Sequence, residues 1–140
     1  MKTRKILLVL ALSLGVFATS CSNDDNEGET IVPIQGKYNL RQTGIINPIN
    51  GQEELVNAPQ NQEGCPGDYL DLRLSNTAVM GDYQGTQCTL TETTGTYVRS
   101  HNDLTITVGN VSTTSDIMNL TNKELKIKNK VTGVITVYSR

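Results

Sequence analysis

The chain has 140 residues, with 12 basic and 14 acidic side chains and a formal net charge of −2 at pH 7. This length suits one folded domain with a modest core. The absence of a basic excess argues against nucleic acid as a partner, because phosphate binding needs a basic surface.

The start of the chain has the composition of a secretory signal peptide. Basic residues, among them Lys2 and Arg4, precede an apolar run over residues 6–17, and small residues follow at 18–20. The run is shorter than the about 20 residues that a membrane-spanning helix needs. We therefore predict a signal peptide over residues 1–20, with a short membrane-anchor helix as the alternative.

Cys21 follows the small residues directly and resembles the lipidated cysteine of bacterial lipoproteins, although Ala18 stands where their pattern prefers leucine. In those proteins the chain is cut before the cysteine and the thiol is acylated, which would make membrane attachment effectively permanent. Residues 21–33 are acidic and predict a flexible tether. The tether looks like the surface-export signal of lipoproteins from Bacteroidetes-type bacteria, with a plain solvated linker as the alternative.

Cleavage would make the chain more acidic. Loss of the three basic residues in the signal takes the 12 basic side chains to 9 against 14 acidic ones, a net charge of −5. This balance again argues against nucleic acid as a partner and against electrostatic attachment to anionic lipid. We expect an outer-membrane lipoprotein of the cell envelope, with exposure at the cell surface as one of two possible membrane faces.

Residues 34–140 predict one all-β domain, since they are rich in Thr, Val, Ile, Asn and Gly and keep no helical apolar period. The predicted strands cover residues 37–43, 68–74, 78–83, 89–93, 96–99, 104–108, 116–120, 124–128 and 134–138. Residues 44–67 predict a long loop, broken at most by a short strand around Leu55 and Val56. About eight to nine regularly spaced strands predict a small antiparallel up-and-down β-barrel, or alternatively a sandwich.

Cys65 and Cys88 flank a predicted hairpin that turns between residues 76 and 77. This register pairs three leucines with the returning strand: Leu70 with Tyr83, Leu72 with Gly81 and Leu74 with Val79. It also places Cys65 opposite Cys88, which predicts a disulfide in an oxidising compartment. Two unpaired thiols are the alternative.

Several short motifs occur in order across residues 34–140: Gly36-Lys37-Tyr38-Asn39-Leu40, Cys65 before Tyr69-Leu70-Asp71-Leu72, Cys88, Gly95-Thr96-Tyr97, Asn102-Asp103-Leu104-Thr105-Ile106, Met118-Asn119-Leu120-Thr121-Asn122-Lys123-Glu124-Leu125, and Tyr138. Together they resemble the lipocalin-like domain lipoproteins of Bacteroidetes-type bacteria. The resemblance implies a small antiparallel barrel and, by analogy, carriage of a ligand. The family often has Trp where Tyr38 stands, so we expect this end of the barrel to be looser or differently packed.

An eight-stranded barrel can be filled by side chains or can hold one small ligand. The leading candidates to line a cavity are Tyr38, Leu40, Leu70, Leu72, Tyr83, Tyr97, Leu104 and Ile106. Further side chains expected to face inward are Val108, Leu125, Ile127, Ile135 and Val137. The alternative is that all of them simply fill the core, which a domain of this size needs.

The sequence contains no convincing catalytic constellation. Its one histidine, His101, lies in a predicted turn, and Glu53 and Glu54 are adjacent and point apart. Cysteine and histidine spacing does not suit a metal site, and there is no phosphate-binding glycine loop or other cofactor motif. We expect a non-enzymatic protein that binds a small apolar ligand or an envelope component. The alternative is an interaction module that contacts another envelope or host protein through loop 44–64 or a sheet edge.

Overall fold

The structure is a computed structural model that describes residues 32–59 and 63–140. The predicted signal peptide, Cys21 and the tether up to residue 31 lie outside these ranges. From Val32 to Arg140 the chain forms one compact unit. Within the described ranges, no helix is long and apolar enough to cross a membrane.

The described residues form nine antiparallel strands: β1 (Gly36–Ile46), β2 (Glu53–Asn57), β3 (Tyr69–Leu72), β4 (Thr77–Gln84), β5 (Thr89–Ser100), β6 (Asp103–Val108), β7 (Val111–Leu120), β8 (Glu124–Asn129) and β9 (Ile135–Ser139). Neighbouring strands pair in the order β2-β1-β3-β4-β5-β6-β7-β8-β9, and β1 also pairs with β9. β1 and β3 to β9 therefore close an eight-stranded barrel, while β2 extends the edge of β1. This confirms the predicted all-β antiparallel barrel.

Several strand boundaries differ from the prediction. β1 continues to Ile46, inside the predicted loop, whereas the short strand allowed around Leu55 and Val56 is present as β2. Residues 89–100 form one strand, without the predicted break. β7 begins at Val111, because the hydroxyl-rich residues 111–115 pair with β6 although they lack apolar alternation.

The predicted register of the β3–β4 hairpin is wrong by three positions. Leu70 lies opposite Met80, and the turn begins at Arg73, whose amide donates a 2.9 Å hydrogen bond to the Thr77 carbonyl. Leu74 consequently falls outside β3, where 86% of its surface is exposed. Leucine alternation alone extended the predicted strand too far, because Leu74 continues the apolar pattern into the turn.

The predicted disulfide is confirmed in spite of this register. Cys65 and Cys88 are bonded, with their Cα atoms 5.3 Å apart. Two left-handed residues, Gly85 (φ 69°) and Cys88 (φ 51°), bend the β4–β5 turn back toward the segment that precedes β3. The bend brings Cys88 to Cys65 although strict strand pairing does not.

The end of the barrel at which β1 begins is closed by packed side chains. Tyr38 is fully buried, and its hydroxyl donates a 2.8 Å hydrogen bond to the Ile34 carbonyl. The Arg140 guanidinium lies over the Tyr38 ring, 5.6 Å from its centroid, and donates a 2.6 Å bond to the Gln35 carbonyl. Tyr38 thus packs tightly where the family often has tryptophan, so this end is differently packed and is not loose.

The outer face of β9 is also covered, which corrects two predicted inward positions. Thr136 pairs with the inward-facing Ile127. Since side chains alternate along a strand, Ile135 and Val137 point outward. Both are nonetheless buried. Their cover includes the β1–β2 hairpin, because the ion pair between Glu53 of β2 and Lys126 of β8 (2.7 Å) passes over β9.

Candidate ligand-binding cavity

A cavity of about 450 Å³ opens at the end of the barrel opposite Tyr38, and we call it the mouth cavity. Its lining residues come from β4, β6, β7, β8, the β8–β9 turn and β9: Met80, Leu104, Ile106, Val108, Val111, Thr113, Ser115, Ile127, Asn129, Thr132, Val134, Thr136 and Tyr138. Small-molecule sites typically measure about 300–1,000 Å³. The mouth cavity is therefore large enough for one small ligand.

Side chains of the buried core form the inner end of the mouth cavity. Leu104 and Ile127 line the cavity and also belong to the core cluster around Tyr38. Met80 and Ile106 pack against that cluster from the same side. The interior is thus filled at one end and hollow at the other.

The β6–β7 hairpin supplies one wall, and its register explains the wall's chemistry. Ile106 lies opposite Thr113 and Leu104 opposite Ser115, so each inward aliphatic side chain faces an inward hydroxyl. On the outward face hydroxyls pair with one another, as in the 2.9 Å bond between Thr105 Oγ1 and Thr114 Oγ1. The inner wall therefore mixes aliphatic and hydroxyl groups, whereas the outer wall is polar.

The mouth cavity has no Asp, Glu, Lys, Arg or His side chain among its described lining residues. Its polar groups are the hydroxyls of four Ser and Thr side chains, the Asn129 amide and the Tyr138 phenol. Burial, and secondarily the negative charge of Asp68, raise the pKa of Tyr138 to about 12. The phenol therefore stays neutral at physiological pH and can donate a hydrogen bond.

Two of the eight leading candidates, Leu104 and Ile106, line the mouth cavity. Four others lie in the core cluster at or toward the closed end: Tyr38, Leu70, Leu72 and Tyr97. Leu40 lines a separate cavity of about 300 Å³ at the gap between β2 and β3, beside Cys65 and Asp68. The candidates thus divide between a packed core and an open site.

The prediction that Tyr83 faces the interior is wrong, because it followed from the shifted hairpin register. Tyr83 lies on the outer face of β4, its ring centroid 6.3 Å from that of Tyr69. Lys37 Nζ lies 3.7 Å from the Tyr69 ring centroid, and the Tyr69 hydroxyl donates to the Glu92 carboxylate. That hydrogen bond is the main reason why the pKa of Tyr69 is raised to about 12.

The inward hydroxyl residues are the part of the site that sequence reasoning missed. Thr113 and Ser115 fall in a run of Ser and Thr without alternation. Extending the β6–β7 hairpin outward from its Gly109-Asn110 turn would have placed them opposite Ile106 and Leu104. The strand register across this tight turn was therefore the sequence signal that could have identified these inward hydroxyl residues.

The side chains that could bind a metal ion are dispersed in the part of the chain that the structure describes. No group of three or more His, Cys, Asp or Glu side chains in the described ranges could hold a metal ion. His101 is exposed in the β5–β6 turn, with its Nδ1 3.4 Å from the Ser100 hydroxyl.

Comparison with known proteins places the fold. An uncharacterized protein from Bacteroides eggerthii is 12% identical (TM-score 0.54), with 76% of this chain and 98% of that chain covered. A lipocalin-like protein from Bacteroides uniformis is 14% identical (TM-score 0.55), with 76% and 96% covered. A search of curated proteins gives no significant match. Residues 34–127 match the Lipocalin-like domain family, which is generally non-enzymatic. This chain therefore belongs to the Lipocalin-like domain family.

Proposed function

We propose that this chain is a membrane-anchored lipoprotein of the bacterial cell envelope whose barrel binds one small, largely apolar ligand in the mouth cavity. The observation that carries the proposal is the hollow of about 450 Å³ above a packed core. Aliphatic side chains such as Ile106 and Ile127 line this hollow, so it offers an apolar ligand contacts that a water-filled space does not provide.

The rim of the mouth cavity supports ligand entry from solvent. Val111 lines the cavity and is 69% exposed, and Val134 lines it and is 38% exposed. Val131, at the tip of the β8–β9 turn, is 90% exposed. An apolar ligand would meet aliphatic side chains at the entrance before it reaches the interior.

A matched pair of variants tests the cavity. In full-length protein that carries Cys21→Ala, Thr113→Trp would place an indole inside the mouth cavity, whereas Thr114→Trp would place it on the outer wall. Native mass spectrometry of the Cys21→Ala protein should detect a co-purifying small molecule that Thr113→Trp loses and Thr114→Trp retains. Equal retention by both variants, or no adduct in any of them, would count against the proposal.

The anchor is proposed from the sequence around Cys21. Cys21→Ala should release a folded protein from the membrane fraction, because the acyl chains would have no attachment point. Ser22→Ala, one position away, should leave fractionation unchanged. Continued membrane association of the Cys21→Ala protein would show that something other than this cysteine holds it.

A second candidate function is contact with another envelope or host protein. β2 pairs only with β1 in the described ranges, so its other edge is free, and Ile49 and Val56 in the same region are 92% and 65% exposed. A photo-crosslinking amino acid at position 49 should capture one specific envelope protein if this surface is used. Crosslinks to many proteins in proportion to their abundance would argue against this second candidate function.

A further inference from the structure

The lining of the mouth cavity selects against charge. Its described residues carry aliphatic, hydroxyl, amide and phenol groups, with no cation that could pair with an anionic ligand. Burying a carboxylate without such a partner is costly, because the anion loses its hydration. The charge of Asp68, which is felt at Tyr138, would oppose an anion further.

Several polar side chains of the same lining have no hydrogen-bond partner among the described residues. Thr113, Ser115, Thr136 and Tyr138 have side chains that make no hydrogen bond with any residue in ranges 32–59 and 63–140. By contrast, outward hydroxyls of the same hairpin are paired, as between Thr107 and Ser112 at 2.8 Å. No buried side-chain N or O atom in the described ranges lacks a hydrogen-bond partner. The unpaired hydroxyls of the lining are therefore open to the mouth cavity, where they are free to bind a ligand.

Tyr138 is the strongest of these donors. Its neighbours across the two flanking strands are Leu40 and Leu125, so apolar groups surround its ring. Its phenol is neutral at physiological pH, and burial raises the pKa further, from 10.0 to about 12. A neutral phenol in apolar surroundings favours a ligand oxygen that accepts a hydrogen bond.

Volume limits the size of the ligand. At the roughly 30 Å³ that a water molecule occupies in the liquid, about 450 Å³ corresponds to about 15 non-hydrogen atoms. This suits a medium-chain amphiphile and excludes complete enclosure of a two-chain lipid.

We propose, building on the proposed ligand-binding function, that the mouth cavity takes an uncharged medium-chain amphiphile such as a fatty ester or alcohol. Its oxygen accepts a hydrogen bond from Tyr138, and its alkyl chain lies against Ile106 and Ile127. The cavity rejects the matching carboxylate. Tyr138 then binds the ligand oxygen, while the uncharged lining sets the preference for a neutral ligand.

Methyl decanoate and decanoate form a matched pair of probes, since they differ mainly in charge. In competition with a fluorescent apolar probe at pH 7.5, full-length Cys21→Ala protein should bind the ester at least about 10-fold more tightly than the anion. Equal or tighter binding of decanoate overturns the inference while leaving the proposed function intact. Failure of both probes to bind overturns the proposed function as well.

Tyr138→Phe should weaken ester binding about 5-fold, the effect of one neutral hydrogen bond. Tyr83→Phe, on the outer face, should leave it unchanged. The carbonyl stretch of ¹³C-labelled ester should lie at lower frequency in the parent protein than in Tyr138→Phe, a signature that altered packing alone would not produce. Ester affinity and carbonyl frequency unaffected by Tyr138→Phe would overturn the role of this residue. If the variant does not fold, the probe pair on the parent protein still decides the charge selectivity.

Discussion

Tyr38 joins the entering chain to the barrel through a single hydroxyl. Its ring is fully buried, and its hydroxyl donates to the carbonyl of Ile34, which is itself 3% exposed. This bond holds the segment before β1 across the closed end. At the closed end this buried hydrogen bond acts together with the exposed bond from Arg140 to the Gln35 carbonyl.

Tyr38→Phe should lower the free energy of unfolding by about 1–3 kcal/mol, because the buried Ile34 carbonyl loses its partner. Urea unfolding followed by circular dichroism measures this change. Tyr83→Phe is the matched control, since no hydrogen bond of its hydroxyl within the described ranges is lost, and it should stay within about 0.5 kcal/mol of the parent. Equal stabilities for the two variants would show that the Tyr38 hydroxyl contributes nothing.

The raised pKa of Tyr138 makes the free energy of unfolding decrease at alkaline pH. Its pKa of about 12 in the fold exceeds its ordinary value of 10.0, so the unfolded chain releases this proton first as pH rises. The stabilising contribution is complete below pH 10 and is lost progressively up to about pH 12. Tyr138→Phe should therefore reduce the slope of unfolding free energy above pH 10 by up to about 1.4 kcal/mol per pH unit. An unchanged slope would contradict this assignment.

The barrel wall is interrupted beyond the end of the short strand β3, where strand-to-strand pairing stops. β3 has four residues and β4 has eight, so part of β4 faces the segment Cys65–Asp68 instead of a strand. Asp68 joins both sides: its carbonyl accepts from the Leu40 amide at 2.8 Å, and its carboxylate accepts from the Tyr83 amide at 2.9 Å. The disulfide holds this segment in place.

The double variant Cys65→Ser/Cys88→Ser should be about 3 kcal/mol less stable than the parent, because the bond closes a loop with a sequence separation of 23. Reduction of the parent protein should produce the same loss in chemical unfolding. A reduced parent as stable as the oxidised one would show that the hydrogen bonds of Asp68 suffice.

At the scale of the whole molecule, the barrel could be predicted because most of its strands show alternating apolar residues or flanking turn residues in the sequence. Alternation in β8 and turn residues at its ends located that strand to within one residue. Relations between distant strands were not predictable. Ile135 and Val137 have a strand pattern that fits either face, and the β1–β2 hairpin, whose Glu53 pairs with Lys126 across β9, contributes to the burial of the outward face.

The ligand-binding cavity was harder to predict from the sequence than the fold. Hydrophobic residues mark the half of the interior that side chains fill, and the cavity is the other half. Leu70, Leu72 and Tyr97 face inward, yet they belong to the packed core and do not line the mouth cavity. The cavity lies where inward positions are small or polar, as at Thr113 and Thr136. Such positions look like solvent-facing residues until strand pairing shows which way they point.

The most direct test of the central claim is methyl-resolved NMR of the full-length Cys21→Ala protein titrated with methyl decanoate. Ligand in the mouth cavity should shift the methyl signals of Ile106, Ile127 and Val134. Leu72 at the closed end and Val137 on the outer face should remain unchanged. Saturable shifts confined to Ile49 and Val56, with the mouth-cavity signals unmoved, would contradict the account and identify β2 as the binding surface.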